Sequence, residues 1–168
     1  MDGLNSVVGY HQAFETLCDR RLVQSMYSEC DELMDRVLLT LHGEEHTKRR
    51  AIELRLFRRD FARYYERQVY PATLAKTLEP YLVAGSMDLH QFGKQVNINL
   101  SADLAGIDRK EESSEETELL ISLVSKFGEG ATLFHSTRDK REVRCEVASA
   151  LATFDDLFFQ PSLTRREG

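Results

Sequence analysis

The stretch Leu41-His42-Gly43-Glu44-Glu45-His46-Thr47-Lys48-Arg49-Arg50 decides how this chain is read. Gly43 interrupts the backbone, and two acids follow where a helix N-terminus favours negative charge. His46 and Arg50 are four residues apart, so on a helix both leave the same face, one turn apart. Side by side, such donors can grip a pair of carboxylates or a phosphate. A His-x-x-x-Arg pair alone is usually an ordinary solvated helix face, so the neighbouring segments have to supply the context.

Outward from this stretch the apolar spacing is helical almost throughout. Tyr65, Val69, Leu74, Leu78 and Leu82 form a stripe that predicts a helix over 60–84, kinked or broken near Pro71 and stopped by Gly85. Asp88 reads as an N-cap for a helix carrying Leu89, Phe92, Val96, Leu100 and Leu104, which Gly106 ends. Residues 110–118 are polar and read as an exposed loop around Ser113 and Ser114. Leu119, Leu120, Leu123, Val124 and Phe127 mark a further helix that closes near Gly128 and Gly130. Val143, Val147, Leu151, Phe154 and Phe158 mark a last one, ended by Pro161 and followed by a frayed tail. No segment alternates with strand periodicity. The expectation is an all-α protein of five or six helices, with Phe92, Leu100, Leu104, Val147 and Leu151 in its interior.

Composition limits the function classes. The 168 residues suit one domain, and 42% hydrophobic with 30% charged residues is ordinary for a soluble globular chain. A net charge of -6 argues against nucleic-acid binding by the whole surface. Basic residues are nevertheless concentrated between Lys48 and Arg67, a solvated face or a docking surface for an acidic partner. Cys18, Cys30 and Cys145 are three, with no CxxC spacing, so neither a disulfide framework nor a zinc site is suggested. The first residues lack a signal peptide's basic and apolar regions, and no apolar run reaches membrane-spanning length. A cytoplasmic protein with no membrane or nucleic-acid partner is expected.

The order of these features resembles a known family. Gly43-Glu44-Glu45-His46-Thr47-Lys48-Arg49-Arg50 followed by Leu56-Phe57 is similar to the start of helix C in soluble bacterial cytochrome P-450 enzymes, the haem-thiolate monooxygenases, where the pattern is G-x-x-H-x-x-x-R. Ala13 to Asp19 resembles that family's helix B. The resemblance divides 1–168, as a single partial domain, into helix B and the B–C loop (10–42), helix C (43–59), helix D (60–84), helix E (88–107), and helices F and G with a tail (117–168). It implies that His46 and Arg50 pair with the haem propionates, a role suited to a guanidinium fork beside an imidazole. It further implies a small organic substrate, received between the Met26–Thr40 loop and the 127–136 region, and an electron-transfer partner such as a ferredoxin.

The departures are equally specific. The family holds iron through a cysteine in a pattern like F-x-x-G-x-x-x-C-x-G. Phe14, Met26 and Arg141 stand four residues before the three cysteines, where glycine would be required. No Glu is followed three residues on by Arg, so the E-x-x-R pair is missing. Ala105-Gly106-Ile107-Asp108-Arg109 imitates the oxygen-activating motif but lacks its threonine. All the missing pieces belong downstream of helix G, so the chain reads as the N-terminal part of such an enzyme, inactive alone. The alternative is a stand-alone helical interaction domain in which His46 and Arg50 are surface residues. His42 and His46 are i and i+4 but lack a third ligand for a metal, and no phosphate-binding loop or nucleophile elbow is present.

Overall fold

The structure is a computed structural model that describes residues 6–19, 21–109 and 113–167. Among these residues it is all-α, with no strand and seven helices. They are α1 (Tyr10–Cys18), α2 (Asp31–Met34), α3 (Gly43–Glu53), α4, α5 (Leu89–Ala105), α6 (Ser114–Ala131) and α7. Helix α4 joins Arg59–Tyr64, a π turn at Tyr65–Val69, and Tyr70–Ala84. Helix α7 joins Lys140–Phe154, a π turn at Asp155–Phe159, and Gln160–Glu167. The short α2 falls inside the segment read as a loop.

Helix α4 at Pro71 and α7 at Pro161 pass through a proline by the same device, while Pro80 sits inside α4 with no π turn before it. Pro71 and Pro161 each lie two residues beyond a π turn, and in both cases the residue just before the proline donates its amide five residues back, Tyr70 to Tyr65 O and Gln160 to Asp155 O. Proline lacks an N–H and its ring collides with the carbonyl four residues earlier. Widening the preceding turn moves that carbonyl aside, so the helix continues through the proline. Pro161 therefore does not end the last helix as its sequence position suggested. The tail is not frayed either: the helix continues to Glu167, and Arg166 Nη1 donates to Asp108 Oδ2 at 3.0 Å.

Several boundaries follow directly from residue chemistry. Gly85 and Gly106 end α4 and α5 with φ of 67° and 71°, left-handed conformations that an L side chain resists. Asp88 caps α5 through Gln91 N at 2.9 Å, and Asp139 caps α7 through Arg141 N and Glu142 N at 2.9 and 3.0 Å. Ser113 caps α6 through Glu116 N, so α6 starts at Ser114, inside the stretch read as a loop; residues 110–112 lie outside the described residues. Helix α3 ends at Glu53 rather than running to 59, because tight turns from Leu54 to Phe57 replace it.

Helices α4, α5, α6 and α7 pack in sequence, each against the next, and α2 sits on α6 and α7. One buried cluster joins Cys30, Leu133, Val143 and Val147, with Leu33 and Leu151 at its edge. A second joins Leu120, Leu123, Ala150 and Phe158, flanked by Ile98, Phe127 and Phe154. Val147 is fully buried, whereas Phe92, Leu100 and Leu151 are half-buried. Leu104, expected inside, is 40% exposed on the outer side of α5 near its end.

Candidate functional site

Helix α3 positions the two residues singled out by sequence. His42 precedes the helix in an extended conformation, and Gly43 turns the chain with φ of 59°. Thr47 Oγ1 donates to Gly43 O at 3.0 Å and closes the first turn. Glu44 pairs with Lys48 at 3.2 Å and Arg49 with Glu53 at 2.7 Å, both at i,i+4 spacing. These pairs take up the neighbouring charges. His46, half-buried, and Arg50, exposed, remain one turn apart with no side-chain hydrogen bond or ion pair among the described residues. Donors held this way, free of internal carboxylates, can meet an external one.

The surroundings of the pair are uneven. A cleft of ≈ 790 Å³ opens beside His46, bordered by Leu22, Val23, His42, Gly43, Glu44, Thr47 and Lys48. Arg50 does not line it. Leu22 and Val23, 57% and 63% exposed, form its apolar side. Sequence reasoning missed them because they lie in an irregular segment; an apolar pair without periodicity was the available signal. Helix α3 packs mainly on the 3₁₀ turn Leu38–Thr40.

The two segments expected to receive a substrate touch each other. Cys30 and Leu33 from the 26–40 loop pack against Leu133 and Gly130 from the 127–136 region in the core. Burial raises the Cys30 thiol pKa above its ordinary value. Ser28, Asp31, Arg36 and Thr40 border a smaller cleft of ≈ 330 Å³ together with His42 and Glu45. A third cleft, of ≈ 450 Å³, lies between α4, α5 and the start of α6. It holds the buried network in which Asn99 Nδ2 donates to Thr77 Oγ1 and Arg109 Nη1 donates to Asn99 Oδ1. It involves neither His46 nor Arg50.

His42 and His46 find no third ligand: among the described residues no group of three or more His, Cys, Asp or Glu side chains is arranged to hold a metal ion. No cysteine borders the cleft beside His46; Cys18 and Cys145 are exposed on α1 and α7, and Cys30 is in the core. No helix among the described residues is long and apolar enough to cross a membrane. A scan against protein-family models finds no match, and searches of the curated proteins and of the solved structures find none either.

Proposed function

We propose that this chain is the N-terminal part of a cytochrome P-450 type monooxygenase and that His46 and Arg50 are its contacts to the haem propionates. One observation carries the reading: both residues project from one face of α3, one turn apart, with no acidic partner among the described residues, while the adjacent Lys48 and Arg49 are paired. Two carboxylates at the edge of an apolar macrocycle match these donors and the neighbouring Leu22 and Val23. When bound with its thiolate ligand, haem would supply oxygen activation for insertion of one oxygen atom into a small organic substrate. The described cysteines do not fit the iron-ligand role, so this chain supplies one side of a cofactor pocket and no catalysis of its own. A ferredoxin-like electron donor belongs to the same proposal, for the assembled enzyme.

A second reading draws on the exposure of Tyr10, Phe14 and Leu17 on α1 and of Leu82 and Val83 on α4. A non-catalytic interaction domain would use such surface for a protein partner. Haem titration of the purified chain, followed by carbon monoxide difference spectroscopy, separates the two. The proposal expects haem binding that weakens at least about ten-fold in His46→Ala/Arg50→Gln, with no thiolate-type spectrum. Haem affinity unchanged by that double substitution, or no haem binding at all, favours the interaction domain.

A further inference from the structure

The turn between α3 and α4 is an apolar knuckle set among arginines. Ile52, Leu54, Leu56 and Phe57 are 60%, 52%, 51% and 69% exposed. Leu56 N donates to Glu53 O at 3.0 Å and Phe57 N to Leu54 O at 3.2 Å, so the backbone is spent on tight turns. Between 48 and 67 the chain carries eight basic and three acidic residues, within a protein of net charge -6. Lys48, Arg49 and Arg58 are paired with Glu44, Glu53 and Asp60. Arg55, Arg59, Arg63 and Arg67 are exposed and have no acid partner among the described residues. None of the three clefts involves a residue between 49 and 71, so the knuckle offers no hollow for a ligand.

Two other exposed apolar patches, on α1 and at the end of α4, differ in charge. Tyr10, Phe14 and Leu17 lie in a stretch, residues 7–19, with no lysine or arginine, and so do Leu82, Val83 and Leu89 in residues 80–91. Further polypeptide can cover those two patches at little electrostatic cost. It cannot readily cover the knuckle, because Arg55 stands between Leu54 and Leu56 and Arg59 lies two residues beyond Phe57, and unpaired guanidinium groups resist a dry interior. A surface that takes apolar side chains and cations together is the headgroup boundary of an anionic bilayer. There, apolar residues enter the acyl edge while arginines stay among the phosphates.

We propose that Leu54, Leu56 and Phe57 insert into an anionic lipid surface and that Arg55, Arg59 and Arg63 hold them there against lipid phosphates. This contact is peripheral, and it is independent of the haem reading because it does not use His46 or Arg50. Each arginine close to an anionic surface is worth about five-fold in binding. The test is co-sedimentation of the full chain with vesicles of phosphatidylglycerol and phosphatidylcholine in equal parts, against phosphatidylcholine alone. Expected are a preference for the anionic vesicles of about ten-fold or more, loss of that preference as salt is raised, and a drop of about ten-fold or more in both L56D/F57D and R55E/R59E. L82S/V83S, on the patch without lysine or arginine, should bind like the parent. Equal binding to both vesicle types, full binding by the tip and ring variants, or equal damage from L82S/V83S would overturn the proposal. So would capture by a polyglutamate peptide without vesicle binding, which assigns the patch to an acidic protein. Circular dichroism checks each variant, and if L56D/F57D does not fold, R55E/R59E alone decides.

Discussion

Asn99 Nδ2 donates to Thr77 Oγ1 at 3.1 Å, a buried bond that joins α5 to α4 alongside those from Tyr65, Thr73 and Tyr81 of α4 to Leu100, Asp103 and Gln95 of α5. Thr77 Oγ1 in turn donates to Thr73 O at 2.7 Å, and Arg109 Nη1 reaches Asn99 Oδ1 at 2.6 Å. Thr117 Oγ1 lies 3.4 Å from the same oxygen and brings α6 into the network. Among the described residues no buried side-chain nitrogen or oxygen is left without a partner. Asn99→Ala removes a donor and an acceptor together and should cost about 1–3 kcal/mol. Chemical denaturation measures it, and a midpoint unchanged from the parent would show that water replaces the network without loss.

Gly130 is a packing glycine. A Cβ there would stand 2.7 Å from Val147 Cγ2 and 3.5 Å from both Cys30 Sγ and Leu33 Cδ2. Gly130→Ala should therefore destabilise by about 1–3 kcal/mol through overpacking. Adding Val147→Ala to it should cost less than Val147→Ala alone predicts, because the new methyl occupies part of the space vacated. A double-mutant cycle of melting curves reads the coupling, and strict additivity would contradict the contact.

Ser162 anchors the last helix more firmly than the ion pairs at its end. Its Oγ accepts from Asp108 N at 2.9 Å and donates to Phe158 O at 2.5 Å, and the residue is buried. Ser162→Ala leaves the Asp108 amide without a partner and should cost about 1–2 kcal/mol. Arg166 is half exposed in its pairing with Asp108, so Arg166→Ala should cost under about 1 kcal/mol. Thermal melts of the two variants test the order, and a larger loss in Arg166→Ala reverses the assignment.

Acid should loosen the entry to α7. Arg138 bonds Glu129, Glu142 and Glu146 at once, and its hydrogen bonds hold the Glu146 carboxyl below the usual glutamate range. A carboxylate with a folded pKa below its unfolded one stabilises the fold above the unfolded value. That contribution is lost as pH falls below about 4.5 and through the lowered folded pKa. Arg138→Gln should flatten this part of the stability–pH curve while leaving the curve above neutral pH parallel to the parent's. A variant that keeps the parent's acid slope sinks the assignment.

The open sides of α1 and α4 predict self-association. Tyr10, Leu17, Leu82 and Val83 are 77%, 86%, 70% and 86% exposed. Apolar surface of this kind in an isolated chain favours association as concentration rises. Sedimentation velocity over a concentration series should show oligomers or aggregates. A monomer at every concentration, with one sharp cooperative melt, would oppose the view that this chain is part of a larger core.

Several helix termini that one side chain or one glycine decides were legible, although the Ser113 cap of α6 was read as loop. Asp88, Gly85 and Gly106 act through their own hydrogen bonds or backbone freedom, and these need no distant partner. Two of the three prolines were read only in part. Pro71 lies within α4 and Pro161 within α7, and neither ends its helix, because a π turn precedes each. Leu104 follows the apolar spacing of α5 yet faces outward, since the helix has no neighbour on that side at its end. Spacing shows which residues share a face; it does not show whether anything covers that face.

The same division applies to the candidate site. Local sequence alone set the helical class, the caps, and the i,i+4 placement of His46 and Arg50, because each depends on interactions within a few residues. Tertiary structure decided that Leu22 and Val23 stand beside His46, that the 26–40 and 127–136 segments close on each other as core, and that Arg50 lies outside the cleft. These are contacts between segments far apart in the chain, and they depend on the summed packing of α2, α6 and α7, which no local pattern encodes.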